Sequence, residues 1–406
     1  MLLNPNAKLI IQNFIQESSD ASMDDLIRFS KEFEFTFEEI AQLAIGLANS
    51  GKTIEANPLF TLYDIPSTGG PGSLSTLLSP LVLASFGKKI LKLGVPGRPA
   101  GAIDCLAQIK NYNIEPNFDV INEWILSGNY VHIIANKNFT PLDIAFFNYR
   151  KKTNNLKIPA LVIASILSKK IALGVTHVGL DVRISEFGNF GINWEEARIN
   201  SRLFNNVASL LGINSRCFIT NCSSPLQPYF GRGESLLALY KIFKSEECVY
   251  LKKHANQCYS MAISLAGDEK YFAPILVRKL EEQFKLNLNL QGASFDSFLE
   301  LVHNIELNHT YSFIASNTGF LKIDLNKIRI TITETQQRAS SIDNERFPDP
   351  CGIIFKKNQM DYIEVGDTIC TYRCQEKYYP DFKKSIEDSF GFAPVINTKY
   401  ELEEII

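Results

Sequence analysis

A glycine-rich loop near residue 70 joins an apolar segment to a helix-like run, and it constrains the fold more than any other stretch. Segment 59–63 predicts a strand, and run 77–86 predicts a helix. The loop between them, 64–76, holds three glycines, two prolines and five serines or threonines. A strand, a glycine-rich turn and a helix N-terminus present free N–H groups and a positive dipole end, which suit an anion. No Gly-Lys-Ser/Thr closes the loop, so it is not a P-loop, and a tight turn capped by hydroxyls is an equally good interpretation.

Short apolar segments alternate with helical stretches along most of the chain. Strands are predicted at 130–135, 178–184 and 216–220, and helices at 194–211, 235–243 and 249–266. Such alternation indicates βαβ units and a mostly parallel sheet.

The two ends of the chain do not show this alternation of strands and helices. Residues 6–50 predict short amphipathic helices, with Ser22 as one N-cap and with Thr36 and Glu39 forming a capping box before another helix. From about residue 311, β-like segments predict an appended region: 312–315, 319–324, 328–332, 352–355 and 368–372. The predicted fold class is α/β, with a small α-helical lobe, a larger mixed or parallel-sheet α/β lobe and a C-terminal α+β region.

Composition narrows the function classes. Of the 406 residues 45% are hydrophobic and 21% charged, which is ordinary for a soluble globular protein. A net charge of −3 without a Lys/Arg block argues against a nucleic-acid surface. Residues 1–5 lack the features of a signal peptide, and no apolar run reaches the ~18 residues of a membrane span. We therefore expect a cytoplasmic protein with no nucleic-acid or membrane partner.

The eight cysteines are scattered and form no C-x-x-C pair. Free buried thiols are a better interpretation than disulfides or a zinc site in such a chain. We therefore expect no metal ion.

A second turn rich in glycine and proline, 94–101, follows a short strand and leads into another helix. Two such turns can face one cleft at the carboxyl ends of parallel strands. Arg98 in this turn has the geometry to hold an anion bidentately. A solvated loop arginine is the alternative.

Ser165 and Lys169 lie four residues apart in an unbroken helical run, 158–174. They share one helix face, so a hydroxyl and an ammonium can reach the same ligand. The alternative is a solvated helix end, where Lys169 and Lys170 favour the C-terminal dipole.

Several stretches, in one common order, carry a resemblance that spans nearly the whole chain. The first is the glycine-rich loop, which reads Asp64-x-x-Ser-Thr-Gly-Gly-x-Gly. The second is the run Ala-Ser-Ile-Leu-Ser-Lys-Lys at 164–170, with Arg150 at a fixed distance before it. Leu-Asp-Val at 180–182 and segments 319–321, 349–353 and 362–367 add to them. Together they resemble the pyrimidine nucleoside phosphorylase family, which includes thymidine phosphorylase.

The resemblance implies a homodimer whose substrate lies in a cleft between two lobes. The small lobe would comprise 1–55 with 142–171, the α/β lobe 56–141 with 172–310, and the C-terminal region 311–406. The family breaks an N-glycosidic bond by phosphorolysis, in which phosphate attacks the anomeric carbon as the pyrimidine leaves.

The resemblance also assigns the base-binding residues. Arg150, Ser165, Ile166 and Lys169 would bind the pyrimidine, with Arg150 and Lys169 as the catalytic groups. Negative charge builds on the leaving base, and fixed cationic donors stabilise it most in the transition state.

The phosphate side departs from the family pattern. Ile65-Pro66 replaces the family's Lys-His, so a cation is lost and Pro66 lacks even a backbone N–H. The second turn also lacks the family's phosphate-binding hydroxyls. The remaining candidates for binding phosphate or another anion are Ser67, Thr68, Gly69, Gly70, Thr76, Lys92 and Arg98.

Three functions stay open at this point. The first, which we expect, is a pentosyltransferase that uses phosphate as nucleophile and co-substrate and needs no cofactor. The second is the same fold with changed chemistry: a pyrimidine nucleoside or nucleotide hydrolase, or transfer to another acceptor. The third is a non-catalytic pyrimidine-binding protein. The related anthranilate phosphoribosyltransferase fold is less favoured, because its Asp/Glu metal pattern and its Asn-Ile-Ser-Thr loop are not seen.

Overall fold

The computed structural model describes residues 5–54, 60–69, 72–186, 188, 190–267, 275–394 and 404–405. The helices of these residues are α1 (Pro5–Gln16), α2 (Asp20–Glu32), α3 (Phe37–Ala48), α4 (Ser75–Ser85), α5 (Ala102–Leu106), α6 (Phe118–Ser127), α7 (Pro141–Lys152), α8 (Pro159–Ala172), α9 (Trp194–Leu210), α10 (Arg232–Phe243), α11 (Val249–Ala266), α12 (Ile275–Leu290), α13 (Phe295–Leu307), α14 (Leu325–Asp343) and α15 (Tyr379–Glu387). The strands are β1 (Leu62–Asp64), β2 (Lys89–Gly94), β3 (Tyr130–Ile134), β4 (His177–Ile184), β5 (Asn214–Asn221), β6 (Tyr229–Phe230), β7 (Tyr311–Ile314), β8 (Gly319–Ile323), β9 (Cys351–Phe355), β10 (Tyr362–Ile363), β11 (Thr368–Cys374), β12 (Phe390–Ala393) and β13 (Glu404–Ile405).

A parallel sheet with strand order β5-β4-β1-β2-β3 forms the centre of the molecule, and β13 pairs antiparallel with β5 at its edge. The strands β1 and β3 are buried throughout, as expected when helices cover both faces of a parallel sheet. The chain leaves β1 first towards β2 and β3, and it later returns to β4 on the other side. This reversal creates a crevice at the carboxyl ends of β1 and β4, where open α/β sheets bind their ligands. The predicted fold class is confirmed.

The N-terminal helices pack with α7 and α8, most extensively where α3 lies on α8. The predicted capping box of α3 is confirmed, since Thr36 and Glu39 each accept a hydrogen bond from the other's backbone N–H. The prediction for α2 is wrong by one turn. Ser19 is the N-cap, and Ser22 is its partner in a capping box. The limits of the three predicted domains stay a prediction.

The C-terminal strands, joined by β6 from the middle of the chain, form two antiparallel sheets around a separate apolar core, in the orders β10-β8-β12 and β6-β9-β11-β7. One predicted β-like segment, 328–332, is wrong because it lies within α14. Its alternating Ile-Arg-Ile-Thr-Ile sequence resembles a strand, but Leu325, Ile328 and Ile332 are buried at helical spacing. The side chain of Asp324 accepts a hydrogen bond from the N–H of Lys327 and fixes the start of the helix.

All eight cysteines are free thiols, as predicted, and six of them are buried. Cys248 is exposed and Cys374 is partly exposed, so the prediction of burial is wrong for these two. No helix in the described part of the chain is both long and apolar enough to cross a membrane.

A buried ionic network joins α10 to the C-terminal sheet. Arg373 on β11 donates to both carboxylate oxygens of Glu234, at 2.6 and 3.1 Å, and to the Asp349 carboxylate at 2.6 Å. The Nε2 atom of His309 lies 2.9 Å from the Oε1 atom of Glu234. Burial alone would raise the pKa of Glu234, but Arg373 and His309 outweigh it and lower that pKa. A Cβ atom at Gly352 would lie 1.9 Å from the Glu234 carboxyl carbon, so only glycine fits beside this network.

We expect Arg373→Ala to destabilise the protein by about 3–5 kcal/mol, because it leaves the Glu234 carboxylate buried without its main counter-ion. Arg338→Ala is the matched control, since Arg338 pairs with Asp381 at the surface, and it should cost less than about 1 kcal/mol. Thermal unfolding of the full chain measures both. Equal melting temperatures for the two variants would contradict this account of the network.

Candidate functional site

A cavity of about 270 Å³ lies at the carboxyl ends of the central strands. Both glycine-rich turns, α7, α8 and α14 contribute to its wall. The prediction that the two turns face one cleft is therefore confirmed. The cavity brings together the predicted site residues Ser67, Thr68, Gly69, Thr76, Lys92, Arg98, Arg150, Ser165, Ile166 and Lys169. The remaining candidate, Gly70, lies outside the described residues.

The first turn is fixed to the neighbouring strand β4 through Asp181. The backbone N–H of Asp181 donates to the Pro66 carbonyl at 2.9 Å, and its carbonyl accepts from the N–H of Thr68 at 3.0 Å. Its carboxylate accepts from the hydroxyl of Ser75, at the start of α4, at 2.5 Å. Asp181 therefore joins β4 to the start of the turn and to the N-terminus of α4.

Two glycines in this turn adopt backbone angles that favour glycine. Gly69 has φ +95° and Gly72 has φ +70°. A Cβ atom at Gly72 would lie 2.3 Å from the ring of Phe230. The turn can therefore keep its shape only with glycine at these positions.

The departure Ile65-Pro66 has a structural explanation. The side chain of Ile65 is fully buried in the apolar core beneath the turn. Pro66 lines the cavity, and only its carbonyl takes part in a hydrogen bond, with Asp181. These two positions therefore serve packing and turn geometry, and the positive charge of the cavity comes from other elements.

Two buried lysines, Lys92 and Lys170, supply that charge around one carboxylate. The Asp64 carboxylate, at the end of β1, accepts from Lys92 on β2 and from Lys170 on α8. Lys92 also donates to the Ile65 carbonyl at 2.8 Å. Burial alone would raise the pKa of Asp64, but the charges of Lys170 and Lys92 together lower it to about 2. With both lysines protonated, this Asp64 cluster carries one net positive charge.

Ser165 and Lys169 lie on one face of α8, as predicted. The Lys169 ammonium donates to the Ser165 hydroxyl at 3.2 Å and to the Asp143 carboxylate. Burial lowers the pKa of Lys169, and the charge of Asp143 opposes this. Because Lys169 and Lys170 are both buried, the alternative of a solvated helix end is wrong.

Arg150, on α7, is the least satisfied polar side chain of the cavity wall. It is 1% exposed, yet its Nε and Nη1 atoms have no hydrogen-bond partner in the described structure. Its guanidinium lies 4.9 Å from the ring centre of Phe146. Burial lowers the pKa of Arg150 to about 10, although the Asp143 carboxylate opposes the shift. A buried charge with unpaired donors is costly, so the site is poised to accept an oxygen atom of a ligand.

Arg98 also lines the cavity, and as a residue it is exposed to solvent. Its guanidinium lies over the ring of Phe147, 5.3 Å from the ring centre, so it has a partner within the protein that a purely solvated loop arginine lacks. The end of β2 and the rest of the second turn present apolar side chains, among them Leu93, Val95 and Ala100.

Comparisons with known proteins agree with this arrangement. No family model matches the chain. It is 25% identical to the pyrimidine-nucleoside phosphorylase of Staphylococcus epidermidis ATCC 12228 over 383 residues, which cover 88% of this chain and 86% of the relative. The enzyme of the same name from Staphylococcus haemolyticus is 24% identical over 390 residues, covering 91% and 88%. The chain is thus similar, over most of its length, to proteins named pyrimidine-nucleoside phosphorylase.

Solved structures support the fold. Anthranilate phosphoribosyltransferase from Thermus thermophilus matches with a TM-score of 0.52 and 15% identity, over 73% of this chain and 94% of that one. The Saccharomyces cerevisiae anthranilate phosphoribosyltransferase, solved with PRPP and Mg, has a TM-score of 0.52 and 14% identity, over 73% and 92%. At such identities the likeness concerns the fold alone.

Five charged or titratable cavity residues were not among the predicted site residues: Asp64, His132, Lys170, Arg183 and Arg329. Asp181 and Arg183 are two apart on a strand and so share a face, which was a usable signal. Arg183 donates from Nε to the Asp181 carboxylate at 2.8 Å and lines the cavity. Burial and the charge of Lys92 keep the pKa of His132 well below its usual value, so it is neutral. Among the described residues, no group of three or more His, Cys, Asp or Glu side chains is placed to hold a metal ion.

The unpaired state of Arg150 generates a stability prediction. We expect Arg150→Met to raise the free energy of unfolding of the ligand-free protein by about 1–3 kcal/mol, because it removes an unsatisfied buried charge and keeps most of the packing. Binding of uridine, measured by calorimetry, should be lost in the same variant.

The matched control is Arg232→Met. Arg232 is also buried, but it donates to the carbonyls of Pro348 and Arg98, at 2.5 and 3.2 Å, and to Asp104. Its loss should destabilise the protein by about 2 kcal/mol or more. If Arg150→Met destabilised the protein as much as Arg232→Met, the Arg150 guanidinium would have hydrogen-bond partners in the free protein, and the prediction would be contradicted.

Proposed function

We propose that the protein is a pentosyltransferase that cleaves or forms the N-glycosidic bond of a pyrimidine nucleoside, with inorganic phosphate as the nucleophile. One observation carries the proposal. The buried guanidinium of Arg150 has two unpaired donor atoms, and it lines the same cavity wall as Ser165 and Lys169. A pyrimidine presents ring carbonyl oxygens, which are acceptors of the kind that these donors lack.

The same groups suit the leaving base. When the glycosidic bond breaks, its electron pair goes to the ring nitrogen, and negative charge spreads to the ring oxygens. Arg150 and Lys169 are fixed cationic donors in a site where burial excludes water. They would stabilise this charge more in the transition state than in the bound nucleoside, which is the condition for catalysis.

The anion side supports phosphate as the nucleophile. The Asp64 cluster supplies net positive charge, and Thr76 lies on the first turn of α4, whose N-terminus favours an anion. An oxygen of hydrogen phosphate would form the bond to the anomeric carbon as the bond to the base breaks. The proton that phosphate loses goes to the base, and the products are a pentose 1-phosphate and the free pyrimidine.

A different acceptor, such as water, is the second candidate. The apolar contribution of the second turn favours it, since Leu93, Val95 and Ala100 line the cavity where hydroxyl groups would help to bind phosphate. The two candidates differ in one measurable property, which is the dependence of base release on phosphate.

The test is an assay of the purified full chain with uridine and thymidine, with and without phosphate, in which free base is followed by chromatography. We expect release only with phosphate. Lys169→Met should lower kcat/KM by about a hundredfold to a thousandfold, because a donor to the leaving base is lost.

Lys157→Met is the control. Lys157 is an exposed lysine near the start of α8 that donates to the Glu186 carbonyl, and it lies outside the cavity lining. It should leave the rate within twofold. Release without phosphate would replace the phosphorylase proposal by hydrolysis. Pyrimidine binding without any release would support a non-catalytic binding protein.

A further inference from the structure

The cavity contains more positive charge than phosphorolysis of a neutral nucleoside requires. Seven cationic side chains line it, namely Lys92, Arg98, Arg150, Lys169, Lys170, Arg183 and Arg329, against one lining carboxylate, Asp64. Two further carboxylates, Asp143 and Asp181, pair with Lys169 and Arg183. A fourth carboxylate, Asp104, acts on Arg98 and also pairs with Arg232, which lies outside the lining. Eight cations are therefore set against four carboxylates, an excess of four among the described residues. One phosphate dianion and a neutral nucleoside would match only about half of it.

Part of this charge lies at Arg98, whose backbone is held firmly in place. The Arg98 N–H donates to the Asp104 carboxylate at 3.3 Å, and its carbonyl accepts from Arg232 at 3.2 Å. The next carbonyl, of Pro99, accepts from the Gln336 side chain at 2.9 Å. Within the described part of the chain, the Phe147 ring is the one group that contacts the Arg98 guanidinium as a hydrogen-bond, ion-pair or stacking partner. The backbone of Arg98 is therefore fixed, and its guanidinium is available to a ligand.

A second guanidinium in the cavity wall belongs to Arg329. Arg329 is on α14, the helix that Gln336 docks onto the second turn, and Arg329 and Arg98 line the same cavity. One Arg329 nitrogen donates to the Asn326 side chain at 3.0 Å. Burial lowers the pKa of Arg98 most, and the charge of Asp104 opposes this shift. The charge of Arg329 lowers that pKa further. Like charges held together in this way repel each other, and an anion bound between them would remove the repulsion.

We propose that Arg98 and Arg329 bind a phosphate group carried by the sugar, so that the substrates are pyrimidine nucleoside 5′-monophosphates. This inference rests on the proposed function. Arg150, Ser165 and Lys169 serve the base, and the first turn with the Asp64 cluster serves the nucleophile. The sugar is the remaining part of the substrate, and its hydroxymethyl group is where a nucleotide carries its phosphate. Arginine suits this task because its planar donors bind phosphate bidentately.

The experiment compares uridine with UMP, and thymidine with TMP, as substrates of the full chain in the presence of inorganic phosphate. We expect kcat/KM to be at least about tenfold higher for each monophosphate, since charge-assisted hydrogen bonds to phosphate are lost with the nucleoside. Arg329→Gln should lower kcat/KM about tenfold to a hundredfold more for UMP than for uridine. Arg98→Gln should act in the same direction.

Lys327→Gln is the matched control, because it removes a positive charge from the same helix where Lys327 pairs with Asp388 outside the cavity lining. It should not change the ratio of UMP to uridine. Thermal unfolding of each variant shows whether it is folded, and Arg98→Gln provides a second test if Arg329→Gln is not.

The outcomes separate the two proposals. Uridine cleaved as efficiently as UMP, or an equal effect of Arg329→Gln on both, overturns the inference and leaves the proposed function standing. Base release from none of the four substrates overturns the proposed function. In that case calorimetric titration decides the inference: tighter binding of UMP than of uridine, lost in Arg329→Gln, supports the sugar-phosphate site, and equal affinities overturn it.

Discussion

The carboxylate of Asp64 holds together the parts of the molecule that form the cavity. It lies at the end of the central strand β1 and accepts from Lys92 on the neighbouring strand and from Lys170 on α8. Without this carboxylate two buried ammonium groups would repel each other in a medium of low dielectric constant. Burial disfavours the ionised form of Asp64, but the attraction of the two ammonium groups outweighs this effect. The pKa of Asp64 is therefore lowered to about 2. The sheet and the helix that carries Ser165 and Lys169 are therefore fixed relative to each other by charge.

The remaining cations divide into those that are paired and those that are not. Lys169 and Arg183 each contact a carboxylate that lies behind the cavity wall. Arg150 retains two buried donor atoms without a partner among the described residues. Paired cations keep the wall in position at little net electrostatic cost, whereas an unpaired one destabilises the free protein and gains most from a ligand. Proteins commonly accept such a loss of stability at functional sites.

The fold could be predicted from the sequence because the patterns that indicate it are formed by residues close together in the chain. Alternating apolar segments and helical runs predicted the parallel sheet, and the i, i+4 spacing of Ser165 and Lys169 predicted a contact that the structure has at 3.2 Å. The signals failed where tertiary contacts decide. Segment 328–332 alternates like a strand but lies in α14, because its apolar residues pack at helical spacing. That misassignment also concealed Arg329, and no local pattern could show that Arg150 would be buried without partners, since that depends on residues brought together only by folding.

The C-terminal region is accordingly part of the site rather than an appendage. Its helix α14 contributes Arg329 and Ile332 to the cavity wall and donates from Gln336 to the second turn. Its sheet is joined to α10 through the Arg373–Glu234 pair, and α10 begins with Arg232, which holds the carbonyl of Arg98. Arg98 is therefore positioned from two directions by elements that depend on the C-terminal region. A change in that region can alter the position of Arg98 and Arg329 while Arg150 on α7 and Lys169 on α8 keep their places. Under the function proposed above, such a change would alter recognition of the sugar without altering recognition of the base.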